Sequence, residues 1–476
     1  MKRFPTIHSF ILILLICGTG LRPACSQDIS PESICGHWLG ALEVNTMRIR
    51  LIFNISLKDG QLAATMDSPD QGAKGVPMTG ITFEDPKLVI EARNMMGKYS
   101  GEVVSDTLIK GSWSQAGRDF PLDLIRQADE FVLNRPQEPR PPFPYLQEEI
   151  IAEDAVSGAR LAGTLTIPEG PGPFPAVVLI SGSGQQNRNE ELLGHKPFLV
   201  LADYLTRQGI AVIRYDDRGV GGSTGDLAAM TTETNADDAL AVLRKIRSHP
   251  KIDPNRTGLL GHSEGGLIAP MLASKTDEVA FIILLGGPGV PGYQVLIDQA
   301  RLILLLGGME ESEVERTLET NLKIYEVLVD ETDNQKAYEK IKAVIDRYLT
   351  EQNLEDEKKE KLMNEVLAGL PASAYNWLRY FIITDPADFL VRVKVPVLAI
   401  FGEKDLQVSP ELNAGPMEEA LKKAGNQHYT IKVMPGLNHL MQTCTTGLPA
   451  EYGEIEETMS PVVLKMIAEW VLGIGY

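Results

Sequence analysis

The sequence predicts an α/β fold, a mostly parallel β-sheet with helices on both faces, preceded by a small all-β domain. After residue 145, near-continuous apolar runs such as FPAVVLI alternate with helical patterns such as ADDALAVLRKIRSH. Strands that are apolar throughout are typical of a parallel sheet buried on both faces. Nearer the start, apolar and polar residues alternate in MRIRLIFNIS, which is the period of a half-buried strand. These patterns predict two domains of different class.

Residues 1–26 have the pattern of a secretory signal peptide. A basic start is followed by an apolar run and then by small residues before a cleavage site. The apolar run, Phe10 to Cys17, is too short to span a bilayer. We therefore expect export to the periplasm or the extracellular space. Lipid anchoring at Cys25 is the alternative, but the residues before it fit a lipoprotein cleavage box badly.

Residues 27–134 are expected to form the N-terminal all-β domain. The stretch LKDGQL joins two strand-like runs and contains the Asp-Gly pair of a hairpin turn. Trp38 and Trp113 are candidates either for the core of this domain or for a platform that binds glycan. Residues 135–145, RPQEPRPPFPY, are rich in proline, which predicts an extended, semi-rigid linker.

Residues 146–476 are expected to hold the α/β domain. From about residue 294 to residue 392 the pattern becomes helical and highly charged, as in EESEVERTLETNLKIYEVL. The sheet pattern resumes at VKVPVLAIFGE and HYTIKVMPG, and the helical pattern PVVLKMIAEWVLG closes the chain. The helical block is therefore predicted to be an insertion before the last two strands, forming a lid over the site.

The net charge and the apolar runs of the chain argue against two classes of partner. The net charge of −19 argues against nucleic acid or an anionic membrane as a partner. No stretch is apolar for long enough to span a membrane.

Cys35 and Cys444 remain after the predicted cleavage, and they are too far apart in sequence to indicate a disulfide framework. We expect both to be free, and neither to form a metal site.

The stretch GLLGHSEGG contains the candidate nucleophile, Ser263. TGLLG is predicted to be a strand and GGLIAPMLASK a helix, so Ser263 lies on the turn between them. Such a sharp turn forces strained dihedrals on the serine, and Gly261 and Gly265 avoid clashes across it. The predicted result is an exposed hydroxyl above the carboxyl edge of the sheet, at the positive end of a helix dipole.

A serine nucleophile needs a base, and in this arrangement the acid and then the histidine follow it in the chain. Two histidines come after Ser263. His428 precedes the strand YTIKVM and would lie at the wrong edge, whereas His439 follows that strand. The acid should follow VPVLAIF, where the loop GEKD offers Glu403 and Asp405. We expect Asp405, because it has room to curl back toward the loop of His439.

An oxyanion hole needs two backbone N–H donors. One is expected from Glu264, which directly follows the nucleophile, and the other from Ser183 in the glycine-rich loop SGSG. Arg188 or Glu190, in the polar loop that follows, would either contact the substrate or form an ion pair that stabilises the loop.

Two aromatic residues of the helical block are candidates for the substrate pocket. Trp377 and Phe381 are four residues apart, so on a helix they share a face. They would either line a pocket for the acyl group or pack the lid onto the core.

Five motifs, SGSG, YDDRGVGGS, GHSEGG, GEKD and GLNH, occur in this order between about residue 145 and residue 476. This part of the chain resembles the α/β-hydrolase family of serine hydrolases, most of all bacterial esterases that carry an extra N-terminal β-domain. The resemblance implies the α/β-hydrolase fold, a small-molecule carboxylic ester as substrate, an acyl-enzyme intermediate and no cofactor. An ester linked to a glycan also fits. Many relatives have histidine at the position of Ser181, so the oxyanion residues follow the family pattern less closely than the triad.

Other functions are also compatible with this sequence. A peptidase could act through the same triad, and a thioesterase or acyltransferase could pass the acyl group to another nucleophile. A protein of a different class, a surface module that binds glycan and has an inert hydrolase domain, is also compatible with the β-domain. Labelling with a serine-reactive phosphonate separates a catalyst from a binding protein.

Overall fold

The computed structural model describes residues 30–44, 47–115, 117–352 and 354–475. The expected signal peptide and Cys25 lie outside the described residues. Two sheets organise the described chain, one built from its first part and one from the remainder. Both parts of the predicted fold class, the all-β region and the α/β region, are confirmed.

The first sheet has ten strands among the described residues. Their order is β4-β3-β2-β1-β10-β8-β7-β6-β5, with β9 paired to β8. The strands from β5 to β8 pair antiparallel with their neighbours, as the alternating sequence pattern predicts. Trp38 and Trp113 are fully buried, so both belong to the core. The strands are β1 Gly36–Val44, β2 Met47–Lys58, β3 Gln61–Ser68, β4 Ala73–Pro77, β5 Gly80–Glu84, β6 Lys87–Ala92, β7 Gly97–Val103, β8 Leu108–Gln115, β9 Arg118–Pro121 and β10 Leu124–Gln127.

The second sheet has eight strands in the described chain, in the order β11-β12-β14-β13-β15-β16-β17-β18. β12 pairs antiparallel with both of its neighbours, and all later pairs are parallel. The strands are β11 Tyr145–Glu153, β12 Arg160–Pro168, β13 Phe174–Ile180, β14 Ala211–Tyr215, β15 Ile252–His262, β16 Ile282–Leu285, β17 Val397–Gly402 and β18 Tyr429–Met434.

Helices cover both faces of the second sheet. Val178 of β13 packs in one hydrophobic cluster with α2, α3 and α10, whereas Val177 packs in another with α1 and α12. Neighbouring residues of one strand thus face opposite helical layers, which explains why these strands are apolar throughout. The helices are α1 Pro197–Arg207, α2 Thr232–Arg247, α3 Gly265–Ala273, α4 Gly292–Leu306, α5 Glu311–Asp330, α6 Asn334–Glu351, α7 Asp356–Gly369, α8 Tyr375–Ile383, α9 Ala387–Leu390, α10 Pro410–Lys423, α11 Pro449–Tyr452 and α12 Pro461–Gly473.

Helices α4 to α9 lie between β16 and β17, where the sequence predicts an insertion. The insertion has a hydrophobic cluster of its own, with Leu328, Ile341 and Tyr375 at its centre. It therefore packs as a helical layer with its own core rather than as a loop of the sheet.

The described residues divide into two compact units. The first contains the described residues up to Trp38 together with Phe53–Thr65 and Pro77–Asp129. The second contains Leu39–Ile52, Met66–Val76 and all described residues from Glu130 onward. Cys35 and Cys444 are free thiols, as expected. Within the described ranges no helix combines the length and apolarity needed to cross a bilayer.

Candidate active site

The carboxyl ends of four parallel strands meet at one edge of the second sheet. His262 of β15 pairs with Leu285 of β16, and Gly402 of β17 pairs with Met434 of β18. Ser263 follows β15, Asp405 follows β17 and His439 follows β18. The fold therefore brings the three candidate residues to the same edge.

Ser263 occupies the turn between β15 and α3 with a positive φ of 51°. Its backbone N–H donates to the carbonyl of Leu285 on the neighbouring strand at 2.9 Å. A Cβ on Gly261 would lie 1.9 Å from the carbonyl oxygen of Gly265, and a Cβ on Gly265 would lie 2.2 Å from that of Ile180. The predicted strain at the serine and the need for small neighbours are both confirmed, since a left-handed conformation is costly outside glycine.

Asp405 and His439 contact each other through their side chains. The Oδ2 atom of Asp405 lies 2.8 Å from Nδ1 of His439, and both residues are buried. The other carboxylate oxygen of Asp405 accepts from the backbone N–H groups of Gln407 and Val408 at 2.8 and 2.9 Å. Gly286, directly after β16, packs against this pair, because a Cβ there would lie 3.0 Å from the Asp405 carboxylate and 3.1 Å from Nδ1 of His439.

The two alternative residues lie elsewhere. The carboxylate of Glu403 accepts from the backbone N–H of Gly436 at 2.8 Å, so it holds the turn that follows β18. The carbonyl of His428 accepts from the N–H of Val397, the first residue of β17. His428 is therefore at the amino edge of the sheet, as the elimination in favour of His439 required.

The loop after β13, residues 181–186, lies against the Ser263 turn. A Cβ on Gly182 would be 3.2 Å from the Cβ of Ser263. Within the described residues, the backbone N–H groups of Ser183 and Glu264 have no hydrogen-bond acceptor. Ser183 is exposed. Both N–H groups belong to the two segments that the sequence predicts to form the oxyanion hole.

A buried carboxylate, Asp217, binds both ends of the 181–186 loop. Its two oxygens accept from the Ser181 hydroxyl at 2.8 Å and from the Gln186 backbone N–H at 2.9 Å. Burial, reinforced by the nearby carboxylates of Glu190 and Glu264, raises the pKa of Asp217 to about 7 even though these donors favour the charged form. The sequence predicts a scaffold turn rather than a chemical role at Asp217, and these contacts are structural.

The side chain of Glu264 connects the Ser263 turn to the helical insertion. It accepts from the Thr232 hydroxyl at 2.6 Å and from the indole N–H of Trp377, in α8, at 2.9 Å. Burial raises the pKa of Glu264, and the hydrogen bonds from its two neutral donors offset only part of that rise. The indole of Trp377 also stacks on the ring of Phe381, with centroids 5.4 Å apart.

Arg188 is engaged in ion pairs. Its guanidinium lies 2.7 Å from the carboxylate of Glu149 and 2.9 Å from that of Asp216. These pairs hold the polar loop and raise the pKa of Arg188. This geometry corresponds to the loop-stabilising alternative of the sequence analysis.

Glu190, the other candidate of that loop, is buried and contacts His262, the residue before Ser263. The two residues are 72 positions apart, so no local sequence pattern could have paired them.

No group of three or more side chains in the described chain has the composition and spacing to hold a metal ion.

The chain is similar to several known proteins. The family model described as "Serine aminopeptidase, S33" matches residues 196–368. Esterase EstD of Thermotoga maritima is 31% identical over 336 residues, which cover 69% of this chain and 69% of that protein. Acyl-coenzyme A thioesterase 1 of Homo sapiens is 28% identical over 139 residues, 29% of each chain.

Among solved structures, Est1E from Butyrivibrio proteoclasticus aligns with a TM-score of 0.39 and 17% identity, over 68% of this chain and 97% of that chain. The similarity to the Thermotoga protein extends over two thirds of both sequences, well beyond a single motif.

Proposed function

This chain belongs to the α/β-hydrolase family of serine hydrolases, and from that premise we propose that it hydrolyses carboxylic esters through an acyl-enzyme intermediate. Ser263 is the nucleophile, His439 the general base and Asp405 the acid that orients the imidazole. The observation that carries the proposal is the 2.8 Å contact between Asp405 and His439 at the sheet edge that also bears the strained Ser263 turn.

Acylation begins when Nε2 of His439 takes the proton of the Ser263 hydroxyl as the oxygen attacks the ester carbonyl carbon. Asp405 accepts from Nδ1, so Nε2 is left free as the base and the imidazolium that forms is stabilised. The negative charge on the carbonyl oxygen is bound by the free N–H groups of Ser183 and Glu264. His439 then protonates the leaving alcohol, and the C–O bond of the ester breaks.

Deacylation repeats these steps with water in place of serine. His439 takes a proton from water, whose oxygen attacks the acyl carbon, and the same two N–H groups bind the second oxyanion. When the bond to Ser263 breaks, His439 returns the proton to the serine oxygen. The products are a carboxylic acid and free enzyme, with no cofactor required at any step.

The test is Ser263→Ala, assayed with a p-nitrophenyl ester of a short acid and with a p-nitrophenyl phosphonate. We expect kcat to fall by at least about 10³-fold and phosphonate labelling to disappear. Ser274→Ala, at the other end of α3, is the matched control and should keep wild-type activity. A Ser263→Ala enzyme with the wild-type rate would refute the proposal.

We propose further that the insertion between β16 and β17 is a lid and that Trp377 and Phe381 limit the acyl group. The hydrogen bond from Trp377 to Glu264 supports this, because Glu264 directly follows the nucleophile. An acyl group bound to Ser263 lies beside the indole of Trp377, which limits the size of that group. Assays with esters of graded acyl length measure which acyl group the enzyme prefers. Acetyl esters of glycans, assayed beside them, test whether a glycan is the alcohol.

Two alternative activities use the same acyl chemistry. The similarity to the human acyl-coenzyme A thioesterase favours a thioester, and the description of the matching family model favours a peptide. Acyl-coenzyme A and amino-acid anilides, assayed beside p-nitrophenyl esters, compare the three. A kcat/KM highest for the anilide or for the thioester would replace the ester proposal.

Export also remains a proposal. Residues 1–26 carry the expected signal peptide, and N-terminal sequencing of the protein from the producing cell tests it. A mature chain that starts after residue 26 supports soluble export, whereas a lipid-modified Cys25 supports anchoring.

A further inference from the structure

Glu190 and His262 belong to a chain of buried contacts that crosses the active-site edge. One oxygen of Glu190 accepts from the backbone N–H of Gly182 at 2.7 Å and lies 2.9 Å from Nδ1 of His262. On the other side of the ring, Nε2 of His262 lies 3.1 Å from the backbone carbonyl oxygen of His439. The chain of contacts therefore joins the 181–186 loop, the Ser263 turn and the loop of the general base.

The partners of His262 fix its protonation state. A carboxylate oxygen and a backbone carbonyl oxygen only accept hydrogen bonds, so both ring nitrogens of His262 must donate. That requires the imidazolium form, which forms an ion pair with Glu190. Burial alone would lower the pKa of His262, but the charge and hydrogen bond of Glu190, together with the His439 carbonyl and the charge of Asp405, outweigh it and raise the pKa.

We propose that the Glu190–His262 ion pair positions the catalytic machinery by fixing the oxyanion loop and the His439 backbone to the Ser263 turn. This inference rests on the proposed ester hydrolysis and deepens it. Glu190 and His262 are positioning residues, because they act through Gly182 and His439 rather than on the substrate.

The contact with Gly182 engages the N–H directly before the candidate oxyanion donor. The Gly182 N–H donates to Glu190, whereas the N–H of Ser183, the next residue, has no acceptor among the described residues. A Cβ on Gly182 would lie 3.2 Å from the Cβ of Ser263, so this glycine lies close to the nucleophile. A shift of Gly182 would therefore move the oxyanion donor relative to the nucleophile. Loss of a whole oxyanion donor costs about 10²–10³-fold in kcat, and misplacing one should cost less.

The contact with His439 acts on the base. The imidazole of His439 is anchored by Asp405 at Nδ1, and its backbone is anchored by His262. The rings of His262 and His439 lie 4.7 Å apart, so the charged His262 also packs directly beside the base. Loss of the ion pair would release the backbone anchor while leaving the Asp405 contact in place.

The test is Glu190→Gln, which keeps the size of the side chain and removes the charge. We expect kcat for a p-nitrophenyl ester to fall about 10- to 100-fold, with KM within about twofold and a parallel fall in the rate of phosphonate inactivation. In a double-mutant cycle, His262→Gln added to Glu190→Gln should cost much less than it does alone, because the two residues act as one unit.

Controls separate this inference from the proposed function. Glu191→Gln changes the neighbouring carboxylate, whose hydrogen bond is a 3.4 Å contact with the Asn187 amide, and should keep the wild-type kcat. Ser263→Ala tests ester hydrolysis independently. An inactive Ser263→Ala enzyme together with a Glu190→Gln enzyme of wild-type kcat would overturn the positioning role and leave the function standing.

A second variant decides the matter if Glu190→Gln does not fold. Glu190→Asp keeps the charge but is too short to reach both Gly182 and His262, so we expect a folded enzyme with lowered kcat. A Glu190→Asp enzyme with wild-type kcat and phosphonate reactivity would overturn the inference.

Discussion

Asp405 and Glu403 are two carboxylates of one short loop that have different partners. Asp405 is buried and contacts the imidazole of His439, whereas Glu403 is exposed and holds the turn at Gly436. The difference arises because Gly402 ends β17 and Glu403 still follows the strand, with its N–H donating to Met434 of β18. Two residues later the chain has turned back toward the loop of His439.

We predict that Asp405→Asn lowers kcat by about 10³–10⁴-fold with little change in KM, because an amide can present a donor to Nδ1 and so favour the wrong tautomer of His439. Glu403→Gln, the matched control from the same loop, should change kcat severalfold at most. Steady-state kinetics of the two variants check this. An inactive Glu403→Gln enzyme beside an active Asp405→Asn enzyme would reverse the assignment.

Asp217 should make stability depend on pH. Its folded-state pKa, about 7, lies above the value of about 3.9 for an unperturbed aspartate, so the folded state binds the proton more tightly. This contribution to stability is complete below about pH 3.9 and is lost as the pH rises through about 7. Relative to Asp217→Asn, the wild-type free energy of unfolding should therefore fall by up to about 4 kcal/mol between pH 4 and pH 7.

Denaturant unfolding of the wild type and of Asp217→Asn at a series of pH values measures this difference. A difference in the free energy of unfolding that stays constant from pH 4 to pH 7 would show that Asp217 titrates normally.

At the scale of elements, the contact between α8 and the Ser263 turn depends on one buried carboxylate. The carboxylate of Glu264 accepts from two neutral donors, the Thr232 hydroxyl and the indole N–H of Trp377. Of these two, the indole belongs to the insertion. We predict that Trp377→Phe, which keeps an aromatic ring against Phe381 but removes the N–H, lowers the free energy of unfolding by about 1–3 kcal/mol. Trp470→Phe, the same replacement in α12, should cost less.

Trp377→Ala separates this anchoring role from a role in the acyl pocket. A pocket role predicts a shift of kcat/KM toward longer or bulkier acyl chains in Trp377→Ala. Lower stability with an unchanged chain-length profile would leave the indole as an anchor alone.

Local patterns made much of the site predictable. The Ser263 turn was predicted because an apolar strand, a pair of spaced glycines and a helix are adjacent in sequence, and the structure has the expected positive φ there. Parallel strands bring their carboxyl ends together, so the order of motifs alone favoured His439 over His428. The contacts of Glu190 with His262 and of Glu264 with Trp377 join residues 72 and 113 positions apart, and such pairs leave no local pattern.

At the scale of the whole molecule, the proline-rich stretch 135–145 lies within the second compact unit. Arg135, at its start, is buried and donates to the backbone carbonyls of Leu193, Gly194, Gly453 and Ile455, all within its own compact unit. A composition rich in proline predicted an extended stretch, but it could not indicate that one of its arginines joins several loops of the second unit.

We predict that Arg135→Met lowers the free energy of unfolding by at least about 2 kcal/mol, because several buried carbonyls lose a charged donor. Arg140→Met, in the same stretch but exposed, should be neutral within about 0.5 kcal/mol. Thermal unfolding of the two full-length variants checks this. Equal melting temperatures for the two variants would mean that Arg135 serves only as part of a spacer.

The hydrogen bond between Trp377 and Glu264 has an optical consequence. The chain has four tryptophans, and the only one in helices α4 to α9 of the described chain is Trp377. Indole emission shifts with the polarity around the ring, and this ring is stacked on Phe381 and bonded to a carboxylate. If α8 moves away from the nucleophile when a substrate enters, water reaches the indole and its emission moves to longer wavelength. The difference spectrum between the wild type and Trp377→Phe isolates that signal, so the protein carries a built-in fluorophore at the contact between insertion and nucleophile.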